Sequence, residues 1–207
     1  MDKVKQNKTF IPLGASNHVL SERSDHDFYA TDPKAVRFLI ENEKFNNNIW
    51  EPATGMGHIA NEFIQSGFNV KMTDLFEYDF DGCDTGVDFL QCNEIFDGDI
   101  VTNPPYNKST EFVEHALKLI PEGNKVAMFL KIQFLETTKR YEQIFKINPP
   151  KKIYVAVKRF ACKKDGDFTK DLGSALCYCW FVWEKGFKGD PIIKWFNYDN
   201  NIENSLW

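Results

Sequence analysis

The chain has 207 residues, 43% hydrophobic and 15% aromatic, which is ample material for one core and argues against a disordered or low-complexity polypeptide. Its formal net charge of -5 does not at first favour a polyanionic partner. No stretch approaches a membrane span, and the polar start from Met1 to Lys8 lacks the apolar centre of a secretion signal, so no membrane partner is expected and the chain reads as cytoplasmic.

Residues 1–24 show no periodic pattern and are expected to be a flexible N-terminal segment, followed by a single domain over 25–207. Asp32 and Pro33 have the chemistry of a helix cap and first helical position, and a helix is expected over 34–42. A short strand near Ile49 runs into Glu51-Pro52-Ala53-Thr54-Gly55-Met56-Gly57-His58, a glycine-rich turn that opens a helix over 59–66. A second strand near Val70 ends at Asp74, and a weaker third near Val87 ends at Asp88 and Phe89. Strands near Ile100 and Val126 flank a helix over 109–119, and a further helix is expected over 138–147. Strands near Ile153 and Cys177 follow, the latter within the long apolar run 175–183. Such alternation predicts an α/β, doubly wound, Rossmann-like sheet. The five cysteines at 83, 92, 162, 177 and 179 lack zinc-site spacing and read as reduced thiols, and no metal is expected.

Two segments carry chemistry. Gly55 and Gly57 let the main chain approach a ligand, while Glu51 at the head of the turn would repel a pyrophosphate yet accept a hydrogen bond from an ammonium. Asp74, about 20 residues past the turn, suits a ribose hydroxyl, although it also suits a loop cap. Asp88 could hold an adenine amino group and Phe89 cover the ring, although Phe89 also suits the core. Directly after the strand at Ile100 comes Asn103-Pro104-Pro105-Tyr106. The Asn103 oxygen and the Pro104 carbonyl can both accept from one NH2 group, localising a lone pair that would otherwise be delocalised; the two prolines stiffen the loop, and Tyr106 offers a stacking face.

The pair of motifs resembles the class I S-adenosylmethionine-dependent methyltransferases of the N6-adenine DNA type, in particular the small phage and prophage adenine methylases. Asp27-Phe28-Tyr29-Ala30-Thr31-Asp32-Pro33 is similar to that family's N-terminal cofactor motif. The resemblance implies a seven-stranded, mostly parallel sheet with an antiparallel last strand. It implies cofactor contacts from Asp27, Phe28, Tyr29, Thr31, Glu51, Pro52, Ala53, Gly55, Gly57, Asp74, Leu75, Asp88, Phe89 and Asn103, and catalysis by Asn103, Pro104, Pro105 and Tyr106. The implied reaction takes a methyl group from S-adenosylmethionine, leaving S-adenosylhomocysteine, to the N6 amine of a flipped adenine in DNA. RNA adenine and protein glutamine pose the same chemical problem, and a module that binds without turnover is a further reading.

Charge is unevenly spread. Within 131–164 stand ten Lys or Arg against Glu136 and Glu142, a local +8 on an acidic chain. This predicts a face that meets DNA phosphates, with Lys158, Arg159, Lys163 and Lys164 as contacts. Neither usual insertion point is long enough for a target recognition domain, so specificity is expected to be short or supplied by a partner, with a homodimer as another possibility.

Overall fold

A computed structural model describes residues 29–157 and 176–197. The central strands are buried on both faces, the pattern of parallel and mixed sheets covered by helices. These are β3 (Asp99–Thr102), β4 (Lys125–Lys131) and β6 (Tyr178–Glu184). β1 (Asn48–Glu51), β2 (Asn69–Met72), β5 (Lys152–Ala156) and β7 (Ile192–Phe196) complete a seven-stranded sheet in the order β2-β1-β3-β4-β6-β5-β7. β6 is antiparallel to both its neighbours, and every other pairing is parallel.

Alternation along the strands builds two cores. Ile100, Val126, Met128 and Phe181 pack with Phe112, Val113 and Ala116 of α3 (Ser109–Leu119). Val101, Ala127, Phe129 and Trp180 face the other way, onto Ala35, Val36 and Leu39 of α1 (Pro33–Asn42) and Ile59 and Phe63 of α2 (His58–Gln65). The α1 start is as expected: Asp32 accepts from the Lys34 N–H at 2.9 Å and Pro33 occupies the first position. α4 (Thr138–Arg140) passes into a π-helical turn over Tyr141–Phe145 within the stretch expected to be helical. No described helix is long and apolar enough to cross a membrane.

The apolar run expected to be the antiparallel last strand is β6, but the sheet does not end there in sequence. β7 adds an edge beside β5, with Pro191 just before it, where an edge strand tolerates a missing N–H. The strand expected near Val87 does not form. Residues 73–88 hold only an isolated bridge, Thr73 to Asp84, and Val87 lies between Gly86, at φ +73°, and Asp88. One apolar residue between turn formers supplies no alternating face to bury.

The topology locates the site. From β1 the chain passes through α2 to β2 on one side, then returns to β3 on the other. The carboxyl ends of β1 and β3 therefore flank the point where the strand order reverses, the usual crevice of such sheets. β1 ends at Glu51, and Asn103 follows the end of β3.

Candidate active site

A cavity of about 340 Å³ opens at that crevice. It is lined by thirteen of the expected site residues: Tyr29, Thr31, Glu51, Pro52, Ala53, Asp74, Leu75, Asp88, Phe89, Asn103, Pro104, Pro105 and Tyr106. Gly55 and Gly57 do not line it. Asp27, Phe28, Lys158, Arg159, Lys163, Lys164 and the segment 1–24 lie outside the described residues.

The glycine turn is organised by the two acids. Glu51 is buried at 2% exposure, and its Oε2 accepts from the Ala60 N–H at 2.8 Å. Gly57 caps α2 in the left-handed region without a side-chain hydrogen bond, so the Glu51 carboxylate does from β1 what a capping side chain would do. Asp74 uses both oxygens on backbone, accepting from Gly55 N–H at 2.8 Å and Phe76 N–H at 2.9 Å. Gly57 has a neighbour within the fold that a side chain would meet. A Cβ there would stand 2.0 Å from Cζ of Phe80, whose ring closes over the turn.

These acids leave the cavity electron-rich. Burial pushes the Glu51 carboxyl well above the ordinary carboxylate range, opposed by the Ala60 N–H and reinforced by the nearby charge of Asp74. No cation among the described residues pairs with Glu51. Burial and the same Asp74 charge raise the Tyr78 hydroxyl, also at the cavity wall, to about 12. Asp88 accepts from the Leu90 N–H at 3.0 Å, fixing the turn that seats Phe89. Phe89 belongs to the core and also faces the cavity. It packs edge-on against Trp50, with ring centroids 5.2 Å apart.

Across the cavity, Asn103 Nδ2 donates to the Tyr29 carbonyl at 2.7 Å and to Thr31 Oγ1 at 3.0 Å. A carbonyl can only accept, so this pair fixes the orientation of the amide. Asn103 Oδ1 is left buried with no hydrogen-bond partner among the described residues. The loop behind it is held by Lys108 N–H to the Pro105 carbonyl and by Ser109 Oγ to the Tyr106 carbonyl, both at 2.9 Å. The Tyr106 ring lies 5.8 Å from Tyr29 and 5.7 Å from Tyr178, centroid to centroid, and the ammonium of Lys131 sits over it at 4.6 Å. Thr54, His58, Tyr78 and Lys108 line the cavity, and Lys131 and Tyr178 lie against Tyr106; the sequence singled out none of them as site residues. His58, as the first residue after the glycine turn, had the most legible position.

Part of the basic block has structural work. Lys151 pairs with Glu184 at 2.7 Å, Lys152 with Glu43 at 2.6 Å and Lys146 with Glu142 at 2.9 Å. Arg140 Nη1 donates to the carbonyls of Gln133, Phe134 and Glu136. Among the described residues of the block, Lys131 lies over the ring of Tyr106, which lines the cavity.

No protein-family model matches the chain, and no curated protein sequence matches it either. Solved structures do. A Listeria monocytogenes protein assigned to the class I S-adenosylmethionine-dependent methyltransferases superposes with a TM-score of 0.58 at 10% identity, over 86% of this chain and 68% of that one. A modification subunit assigned to a type I restriction enzyme of Vibrio vulnificus gives 0.56 at 11% identity, over 84% of this chain and 48% of that one, about half its length. A Lactococcus lactis protein assigned as a hemolysin gives 0.57 at 10% identity, over 80% and 94%. Activities assigned to these three differ, and at such identities what they share with this chain is the fold. That fold is the Rossmann-like α/β fold of the class I methyltransferases.

Proposed function

We propose that the chain transfers a methyl group from S-adenosylmethionine to the exocyclic N6 amine of adenine in DNA. The observation that carries this reading is Asn103: its amide nitrogen is held by Tyr29 and Thr31, and its buried oxygen awaits a donor in a cavity whose opposite wall is acidic. An NH2 group arriving there would satisfy Oδ1 and share its second hydrogen with the Pro104 carbonyl, which draws its nitrogen lone pair out of conjugation. Glu51 is suited to a cationic cofactor, because a buried carboxylate without a cation gains most from one. Glu51, Asp74, Asp88 and Phe89 would hold S-adenosylmethionine, which when bound supplies an electrophilic methyl group. Orientation and fixed dipoles do most of the remaining work, and no strong general base is needed. DNA as substrate is supported by the basic excess of 131–164, which remains after Lys151 and Lys152 are paired with Glu184 and Glu43, and by the likeness to a restriction enzyme's modification subunit, which also favours a specificity-conferring partner.

Incubation with methyl-labelled S-adenosylmethionine and separate DNA, RNA and protein pools tests the reading. Label in DNA, recovered as N6-methyladenine by mass spectrometry and lost in Asn103→Ala, is the expected result. Label confined to RNA or protein would keep the mechanism and overturn the substrate. Absence of label in every pool would reject the activity.

A further inference from the structure

Lys131 ends β4, the strand beside β3, so it emerges at the same edge of the sheet as Asn103. Its Nζ stands 4.6 Å from the centroid of the Tyr106 ring, and its charge has no carboxylate partner among the described residues. The arrangement is braced from two sides. In the β4–β6 ladder Lys131 faces Tyr178, whose ring in turn packs near Tyr106. Beyond Lys131 the chain makes a tight turn over Ile132–Leu135, pinned by the three hydrogen bonds from Arg140 and followed by Thr137 at φ +90°, a region that β-branched residues seldom enter.

We infer that Lys131 is a positioning residue that takes a backbone phosphate of the target nucleotide, an inference that rests on the nucleic-acid methylation proposed above. A base stacked on Tyr106 needs the ring surface over which the ammonium now lies. Aromatic stacking of a base outweighs a partly solvated cation–π contact, so the base displaces the ammonium. Tethered to β4, the displaced group stays beside the captured nucleotide. A compact, strongly hydrated point charge with three donors is matched by a phosphodiester oxygen, which the nucleotide brings with it. A peptide carboxamide brings no anion, so with such a substrate Lys131 would lose the ring and gain nothing. The residue therefore favours a nucleotide over a protein side chain at this site.

The test compares wild type, Lys131→Met, which keeps the apolar stem, Lys131→Arg and the surface control Lys118→Ala on adenine-containing single-stranded DNA. Methyl transfer, DNA binding across a salt series and cofactor affinity are measured for each. Lys131→Met is expected to raise KM for DNA about tenfold at low salt with kcat within about twofold, the size of one charge-assisted contact. The slope of log affinity against log salt should fall by about 0.7, the value for one phosphate contact on a single strand. Lys131→Arg should restore the slope, and Lys118→Ala should change nothing. An unchanged slope in Lys131→Met overturns the inference, even where KM rises, and so does a fall in kcat at constant KM. A wild type that methylates no nucleic acid overturns the reading beneath it, and the inference falls with it; an active wild type with an unaltered slope in Lys131→Met overturns the inference alone.

Discussion

Asn103 Nδ2 lies 3.0 Å from Thr31 Oγ1, a contact between the loop after β3 and the segment that precedes α1. Together with the Tyr29 carbonyl it decides which end of the amide remains for a substrate. Thr31 is 2% exposed, so Val at this position would keep the shape and remove only the hydroxyl. Thr31→Val should cost about 1 kcal/mol of transition-state stabilisation, roughly a fivefold fall in kcat. Steady-state methyl transfer checks this, and a variant with wild-type kcat would mean that the hydroxyl does not hold the amide.

Glu51 links stability to binding. Its carboxyl is raised by burial above the ordinary value of 4.5, so between that value and its folded value the folded protein keeps a proton that the unfolded chain has lost. Stability without cofactor is therefore fullest at low pH within that window and falls as the pH rises through it. Glu51→Gln can still accept from the Ala60 N–H and should abolish that fall, raising Tm relative to wild type increasingly as the pH climbs above the ordinary carboxylate range. The same change should weaken S-adenosylmethionine binding about tenfold or more, because the cation loses its counter-charge. Thermal melts across pH and calorimetry separate the two effects; a variant that binds as tightly as wild type would place the cofactor's cation elsewhere.

The glycine turn and the Asn103 loop were readable because their chemistry is local. Gly55 and Gly57, both at positive φ, follow β1 within a few residues, and two consecutive prolines follow β3 just as closely. What those residues touch was not readable. The Asn103 amide is oriented by residues 74 and 72 positions away, Glu51 caps a helix nine residues on, and Asp74 grips the turn at Gly55. Long-range partners leave no periodic trace in sequence. The same limit explains the basic block: Lys151 and Lys152 look like solvated charge until β5 is laid beside β6 and behind α1, where Glu184 and Glu43 meet them. The third strand was misread because Val87 is one apolar residue among acids and glycines, while Ile192 to Phe196, a better strand, stands behind a turn-forming Gly-Asp-Pro.

Glu43 gives the most direct stability prediction. Its side chain is 2% exposed and receives Lys125 at 2.8 Å, Lys152 at 2.6 Å and the Tyr154 hydroxyl, tying the end of α1 to the starts of β4 and β5. Burial alone would raise this carboxyl, but the hydrogen bonds from Lys125, Lys152 and Tyr154 outweigh it and hold the group below 4.5. Its contribution is thus present above the unfolded value and is lost as the pH falls through the lower folded value. Glu43→Ala leaves two lysines without their counter-charge and should cost about 3–5 kcal/mol at neutral pH. Denaturant melts should show the gap between variant and wild type closing in acid, and a gap independent of pH would assign the loss to packing instead.

Gly57 and Phe80 form a pair whose coupling can be measured. Gly57 sits at φ +73°, and a Cβ added there would fall 2.0 to 2.4 Å from three atoms of the Phe80 ring. Gly57→Ala therefore carries two penalties, a backbone cost of about 1–2 kcal/mol for the left-handed conformation and a steric cost from the ring. Truncating the ring removes only the second. In a Phe80→Ala background the added methyl should cost about 1–2 kcal/mol, and in wild type clearly more, a non-additivity of the kind expected for residues in contact. Chemical denaturation of the four proteins, run without cofactor, isolates the effect from any ligand. If Gly57→Ala is equally harmful in both backgrounds, the ring yields freely and the glycine is required by its backbone alone. If Gly57→Ala folds as well as wild type yet binds S-adenosylmethionine poorly, the methyl group is meeting the cofactor rather than Phe80.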